Sequence, residues 1–140
     1  MDSFNFFCPW LVSSHAIARN LDNERGDLVY DSLSILRDRK DPIAVNRALE
    51  LLKSDDDYTW LNAATYLGAC GRQEAVPYLI KALRHTASKA YQEEADELQS
   101  LTGQDFGADF KKWKAWWEQA YPDSNFDWQS HLGFNPQLNR

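Results

Sequence analysis

Apolar residues recur at helical spacing through the middle of the chain. Val76, Leu79, Ile80 and Leu83 follow an i, i+3, i+4, i+7 pattern. This spacing predicts an amphipathic helix over about 74–85. No stretch of useful length alternates apolar and polar residues, so the pattern predicts helices and no strands.

The same spacing predicts three more helices nearby, at about 42–53, 58–70 and 89–101. Asp41 and Pro42 open the first of them, and these residue types suit an N-cap and a first helical position. The apolar positions that define the three helices are Val45, Leu49 and Leu52, then Trp60, Ala64 and Leu67, then Tyr91, Ala95 and Leu98.

The sequence pattern indicates that these four helices are two copies of one helical hairpin. Gly71 and Gly103 follow the two copies, as glycine commonly does at a helix C-terminus. A fixed period near 30 residues, built of helix–turn–helix units, is typical of an α-solenoid, in which each unit buries its apolar face against its neighbours. The matching pairs, each 31 residues apart, are Ala44 and Ala75, Val45 and Val76, Leu52 and Leu83, Ala64 and Ala95, and Leu67 and Leu98.

The flanks of this region fit the terminal units of such an array. Helices of about 25–39 and near 11–19 are predicted to form a degenerate first unit over about 10–40. At the other end, residues of about 109–121 are predicted to form a capping helix with Asp109 at its N-cap. Its aromatic stripe is Trp113, Trp116 and Trp117, and the residues of the following extended tail, 122–140, that would pack back on the domain are Phe126, Trp128 and Phe134.

Several of these segments resemble a known family. Residues 60–71, WLNAATYLGACG, are similar to the second helix of a HEAT-like repeat, whose common form is RxxAAxALGxIG. The next segment, EAVPYLIKAL, resembles the first helix of such a repeat. Residues 101–107, LTGQDFG, with the Trp-rich helix after them, resemble the closing segment of small bacterial HEAT-like proteins. The resemblance implies an all-α fold, a short α-solenoid with repeats at about 41–71 and 72–103.

The chain departs from the family pattern at polar positions. Trp60 and Tyr91 stand where the repeat usually has arginine, and Gln99 replaces the glycine that the first copy keeps at Gly68. The apolar positions are retained. The departures therefore affect the polar contacts typical of the family and leave the predicted packing unchanged.

Composition limits the class of protein and of partner. A chain of 140 residues with 44% hydrophobic residues is the size of one domain, predicted here as residues 1–121 followed by the tail. Its net charge of −6 argues against general binding to nucleic acid or to anionic membranes and favours a basic partner. Cys8 and Cys70 are far apart in the sequence and suit a reducing compartment, and a disulfide bond between them is the alternative. With no signal peptide pattern and no long apolar run, the expected location is cytoplasmic.

Residue patterns for catalysis or metal binding are not evident. His15, His85 and His131 are dispersed, and no nucleotide-binding or nucleophile motif occurs. The three aspartates at 55–57 could attract a hard cation, but they lie in a predicted turn where Asp57 can cap the next helix. We therefore predict no catalytic residue, no metal site and no cofactor.

Acidic and aromatic residues suggest where a partner would bind. The second helices of HEAT-like repeats line the concave face, and aromatic residues among charges are favoured at binding hot spots. Solvated charge is the alternative for the acids, and packing in the core is the alternative for the two aromatics, which share a stripe with Ala64 and Leu98. The predicted partner-binding residues are Asp56, Asp57, Trp60, Tyr91, Glu93, Glu94 and Glu97.

The sequence therefore predicts a non-enzymatic protein-interaction module that binds a basic protein through its concave face. A small bacterial immunity or inhibitor protein is one concrete version. The resemblance also allows an alternative, a factor related to the bilin lyases or a chaperone-like protein, because a fold alone does not select a function.

Overall fold

Every regular element in the part of the chain that the structure describes is a helix. The computed structural model describes residues 12–22, 26–84 and 91–129. Within these ranges no strand occurs, so the predicted all-α class is confirmed. The α-helices are α1 Ser14–Ala18, α2 Gly26–Arg39, α3 Val45–Leu51, α4 Asp57–Ala69, α5 Val76–Ala82, α6 Tyr91–Thr102 and α7 Phe110–Ala120.

Two of the predicted helices begin as 3₁₀ turns. Pro42–Ala44 precedes α3 and Gln73–Ala75 precedes α5, so both α-helices are shorter than predicted. The Asp41 side chain accepts a hydrogen bond from the Ile43 backbone N–H at the start of the first turn, which confirms its predicted role as a cap. The two turns begin 31 residues apart, as do the two α-helices that follow them.

The helices pack both against their neighbours in sequence and across an intervening helix. Helix α3 contacts α4, and α5 contacts α6. Helix α4 also contacts α2, α5 and α6, and the contact with α2 is the most extensive. Helix α1 packs against α2, and α7 packs against α5. The leucines that face these junctions are buried, namely Leu33, Leu36, Leu67, Leu79 and Leu98. No helix in the described ranges is both long enough and apolar enough to cross a membrane.

A buried tyrosine fixes the start of α3 against α4. The Tyr66 hydroxyl donates to the Asp41 carbonyl oxygen over 2.5 Å and accepts from the Ala44 backbone N–H over 3.1 Å. Burial raises the pKa of this hydroxyl, so it keeps the proton that it donates. One side chain thus satisfies two backbone groups that the 3₁₀ turn leaves without helical partners.

Helix α7 is anchored by one buried tryptophan. The Trp113 side chain is fully buried, and its indole N–H donates to the Gly107 carbonyl oxygen over 2.7 Å. Its ring meets the Phe106 ring edge-on, with centroids 4.9 Å apart. Asp109 caps the helix by accepting from the Lys112 backbone N–H, as predicted.

The segment 121–129, which we call the strap, is not helical and lies against α5. The Phe126 and Tyr78 rings meet edge-on with centroids 4.9 Å apart, and Trp128 is buried. The buried Lys81 ammonium donates to the Asp127 carbonyl oxygen over 3.0 Å. The same ammonium lies 5.6 Å from the Trp60 ring and 5.7 Å from the Phe126 ring, distances that allow cation–π attraction. The rest of the predicted tail, with Phe134, lies outside the described residues.

Candidate functional site

The residues predicted to form one partner-binding surface are divided between the surface and the core. Trp60 is only 1% exposed, and its ring lies 6.3 Å from the Tyr78 ring. Its indole N–H donates to the Asp57 carboxylate over 3.3 Å. Because Trp60 shares a helix face with Ala64 and Leu67, packing places it inside, and we correct its interpretation as an exposed anchor.

The acidic residues of α6 also point in different directions. Glu93 is exposed, Glu97 is half-buried and Glu94 is only 4% exposed, since it lies one turn before the buried Leu98. Glu94 is therefore removed from the predicted surface. Tyr91 begins α6, but its side chain lies outside the described residues.

The aspartates before α4 serve the start of that helix. Asp56 is the N-cap, and its Oδ2 accepts from the Thr59 backbone N–H over 2.9 Å and from the Thr59 hydroxyl over 2.8 Å. The prediction gave this role to Asp57, which is instead the first helical residue. Within the described ranges, no group of three His, Cys, Asp or Glu side chains is placed to hold a metal ion. His85, His131 and Cys8 lie outside those ranges.

Glu97 lies where α6 crosses close to α4. A Cβ atom added to Gly68 would be 2.9 Å from the Glu97 Cγ and 3.1 Å from the Leu79 Cδ1, so a larger residue at this position would require the Glu97 side chain to shift. Burial raises the pKa of the Glu97 carboxyl, while the positive charges of Lys40 and Arg37 oppose that rise. Glu97 therefore contributes to the packing between helices more than to an exposed surface.

Glu97→Gln is expected to raise stability at pH 7. A carboxyl whose pKa is raised by folding holds its proton more tightly in the folded chain, so the free energy of unfolding falls as pH rises from the ordinary value of 4.5 through the folded value. Glutamine removes this loss, and the advantage of the variant should disappear as the pH is lowered below 4.5. Urea unfolding at pH 7 and pH 4 measures the difference in the free energy of unfolding between the variant and wild type. Glu93→Gln, at an exposed position of the same helix, is the control. An advantage that is equal at both pH values would contradict the assignment.

An open groove of about 530 Å³ lies between α2 and the start of α4. Both tyrosines of its described lining are exposed large hydrophobic residues, Tyr30 at 49% and Tyr58 at 59%. Two carboxylates, Asp31 and Asp56, line it as well. The described lining is Val29, Tyr30, Asp31, Asp56, Tyr58, Thr59 and Asn62.

Among the described lining residues of the groove, only Asp56 was predicted from the sequence to bind a partner. The sequence pattern did not indicate Tyr30 and Tyr58 as binding residues, because both lie outside the apolar stripes that define their helices. Tyr58 directly follows Asp57, which the sequence pattern assigned to the acidic turn. Large aromatic residues at positions that the helical period assigns to solvent could have indicated this surface.

Comparisons with protein-family models, with curated proteins and with solved structures give no match for this chain.

Proposed function

We propose that the chain is a non-enzymatic protein-interaction module in which HEAT-like hairpins stack as a short α-solenoid. Two kinds of contact support the stacking. The pairs α3–α4 and α5–α6 pack within a hairpin, and the second helices α2, α4 and α6 pack in succession. The bounds of the two 3₁₀ turns and of α3 and α5 recur after 31 residues, which supports this arrangement.

The partner would bind in the α2–α4 groove, which lies on the side of the second helices. The observation that carries this proposal is the pair of exposed tyrosines, Tyr30 and Tyr58, beside two carboxylates in one groove. Tyrosine is enriched at binding hot spots, because its ring contributes a large contact area and its hydroxyl a hydrogen bond. The groove is partly open to solvent, which suits a segment of a partner protein better than a fully enclosed small molecule.

Charge favours a basic protein as this partner. The chain has a net charge of −6, and Asp31, Asp56 and the exposed Asp55 give the groove region the same sign. Complementary charge speeds association and selects against acidic partners. An immunity or inhibitor protein that neutralises a basic toxin in the cytoplasm is the form of this function that we propose.

Site-specific photocrosslinking tests the proposal. Benzoylphenylalanine would replace Tyr58 or Tyr30 in the full chain in native host cells, with replacement of Tyr121 as the control. Tyr121 is also an exposed tyrosine, at 48%, but it follows α7 at the other end of the chain. We expect one identifiable protein to crosslink from both groove positions and not from the control position.

The captured protein must then be purified and its binding measured. Tyr58→Ala should shorten the lifetime of the complex, because truncation of an aromatic anchor acts mainly on dissociation. Crosslinks only at position 121, or a purified partner that binds the Tyr30→Ala and Tyr58→Ala variants as it binds wild type, would overturn the proposed surface.

A further inference from the structure

The polar groups lining the α2–α4 groove are mainly acceptors. The backbone N–H and hydroxyl of Thr59 both donate to Asp56 Oδ2, and the Asn62 amide nitrogen donates to the Tyr58 carbonyl oxygen over 2.6 Å. These hydrogen bonds direct the Thr59 donors and one of the two Asn62 N–H groups back into α4, while the hydroxyls of the two tyrosines can both donate and accept. Acceptor oxygens remain on Asp31, on the second oxygen of Asp56 and on Asn62, and all three residues line the groove.

The electrostatic balance of the groove is negative. The N-terminus of α4 carries roughly half a positive charge from its backbone dipoles. The carboxylates of Asp56 and Asp57 lie at that terminus and outweigh it, and Asp31 adds a further negative charge from α2. None of the described lining residues is lysine or arginine. A cation that donates several hydrogen bonds therefore complements the groove, whereas an anion is repelled.

The exposed tyrosines distinguish between the two common cations of proteins. A guanidinium group is planar, is weakly hydrated and stacks on aromatic rings, whereas an ammonium group is compact and strongly hydrated. Guanidinium also offers five donors and no acceptor, which suits a groove rich in acceptor oxygens. Tyr30 and Tyr58 present ring surface beside the carboxylates. Together these features favour arginine over lysine.

We propose that the α2–α4 groove recognises an arginine side chain on an extended segment of the partner protein. The guanidinium donates to the carboxylates of Asp31 and Asp56 and stacks on a tyrosine ring. The groove volume of about 530 Å³ accommodates residues that flank the arginine as well. This inference rests on the proposed function and specifies the chemistry of its partner.

Short peptides of one design test the specificity. The probes are acetylated and amidated Gly-Ser-Arg-Ser-Gly and its versions with lysine or with citrulline, the uncharged analogue of arginine. Each is titrated into the full-length chain at low salt and followed by NMR chemical shifts. We expect the arginine peptide to bind roughly tenfold more tightly than the citrulline peptide and several-fold more tightly than the lysine peptide, with shifts at the groove residues.

Matched variants locate the binding. Asp31→Asn and Asp56→Asn should each weaken the arginine peptide about fivefold. Asparagine is as good an N-cap as aspartate, so Asp56→Asn keeps the start of α4. The controls are Asp109→Asn, the equivalent cap of α7, and Asp96→Asn on the exposed face of α6. Both should bind the peptide as wild type does.

Equal affinity for the three peptides, no detectable binding of the arginine peptide, or equal losses in the groove and control variants would each overturn the inference. Its failure is distinguishable from failure of the proposed function. A partner that crosslinks through positions 30 and 58 but contributes no arginine there would overturn only the arginine specificity. Arginine binding in the groove without any crosslinked protein would instead contradict the proposed protein-binding function.

Discussion

Trp113→Ala is expected to lower the free energy of unfolding by about 3–5 kcal/mol. The Trp113 side chain is fully buried, so alanine would leave a cavity beneath α7. The substitution also leaves the Gly107 carbonyl oxygen without its indole donor and removes the edge-on contact with Phe106. Urea unfolding followed by circular dichroism at 222 nm measures the loss.

Two companion variants separate the causes of this loss. Trp113→Phe retains most of the buried ring but not the hydrogen bond to Gly107, so it should be less damaging than Trp113→Ala. Trp117→Ala is the control, because Trp117 is only partly buried on the same helix and its indole donates to Ser124 at the surface. Equal losses for Trp113→Ala and Trp117→Ala would show that Trp113 does not anchor α7.

Leu67→Ala and Leu98→Ala should each lower the free energy of unfolding by about 2–5 kcal/mol. Both leucines are fully buried, and they occupy matching positions of α4 and α6, 31 residues apart. Each alanine would leave a cavity in the apolar core between helices.

Thermal and urea unfolding of these variants can be compared with Ile43→Ala as a control. Ile43 is among the exposed large hydrophobic residues, and the hydrogen bond that it gives to Asp41 comes from its backbone. Its replacement should change stability by less than either leucine substitution. If both leucine variants unfold at the wild-type midpoint, the assignment of these positions to the core is wrong.

The helices were predictable because apolar residues repeat with the helical period. The period places Leu67 and Leu98 correctly on inner faces, and Asp41 and Asp109 were identified as caps. The 3₁₀ turns were not predicted, because i, i+3 spacing is common to both helix types. The 3₁₀ turn Pro42–Ala44 ends at Ala44, whose backbone has φ −104° and ψ 13°. The apolar pattern of the sequence does not encode these angles.

The candidate site was less predictable than the fold. Tyr30 and Tyr58 meet in one groove only because α2 packs against α4, and the spacing along the chain does not determine that contact. Trp60 was misjudged for a related reason. Its position on α4 alone was compatible with either the surface or the core. The ring is buried because Tyr78 and Lys81 of another helix, α5, lie against it, and its N–H donates to Asp57.

The strap has a consequence for the order in which the structure opens. The hydrogen bond from Lys81 to Asp127 joins residues 46 positions apart in sequence, whereas α3 and α5 each pack against the α-helix that follows them directly. Residues 124–127 have no helical hydrogen-bond ladder, so the strap should open as a separate cooperative unit at a lower free energy than the hairpins. While it is closed, the Lys81 amine is shielded from water. The acylation rate of this one amine would therefore report how often the strap detaches from an otherwise native protein.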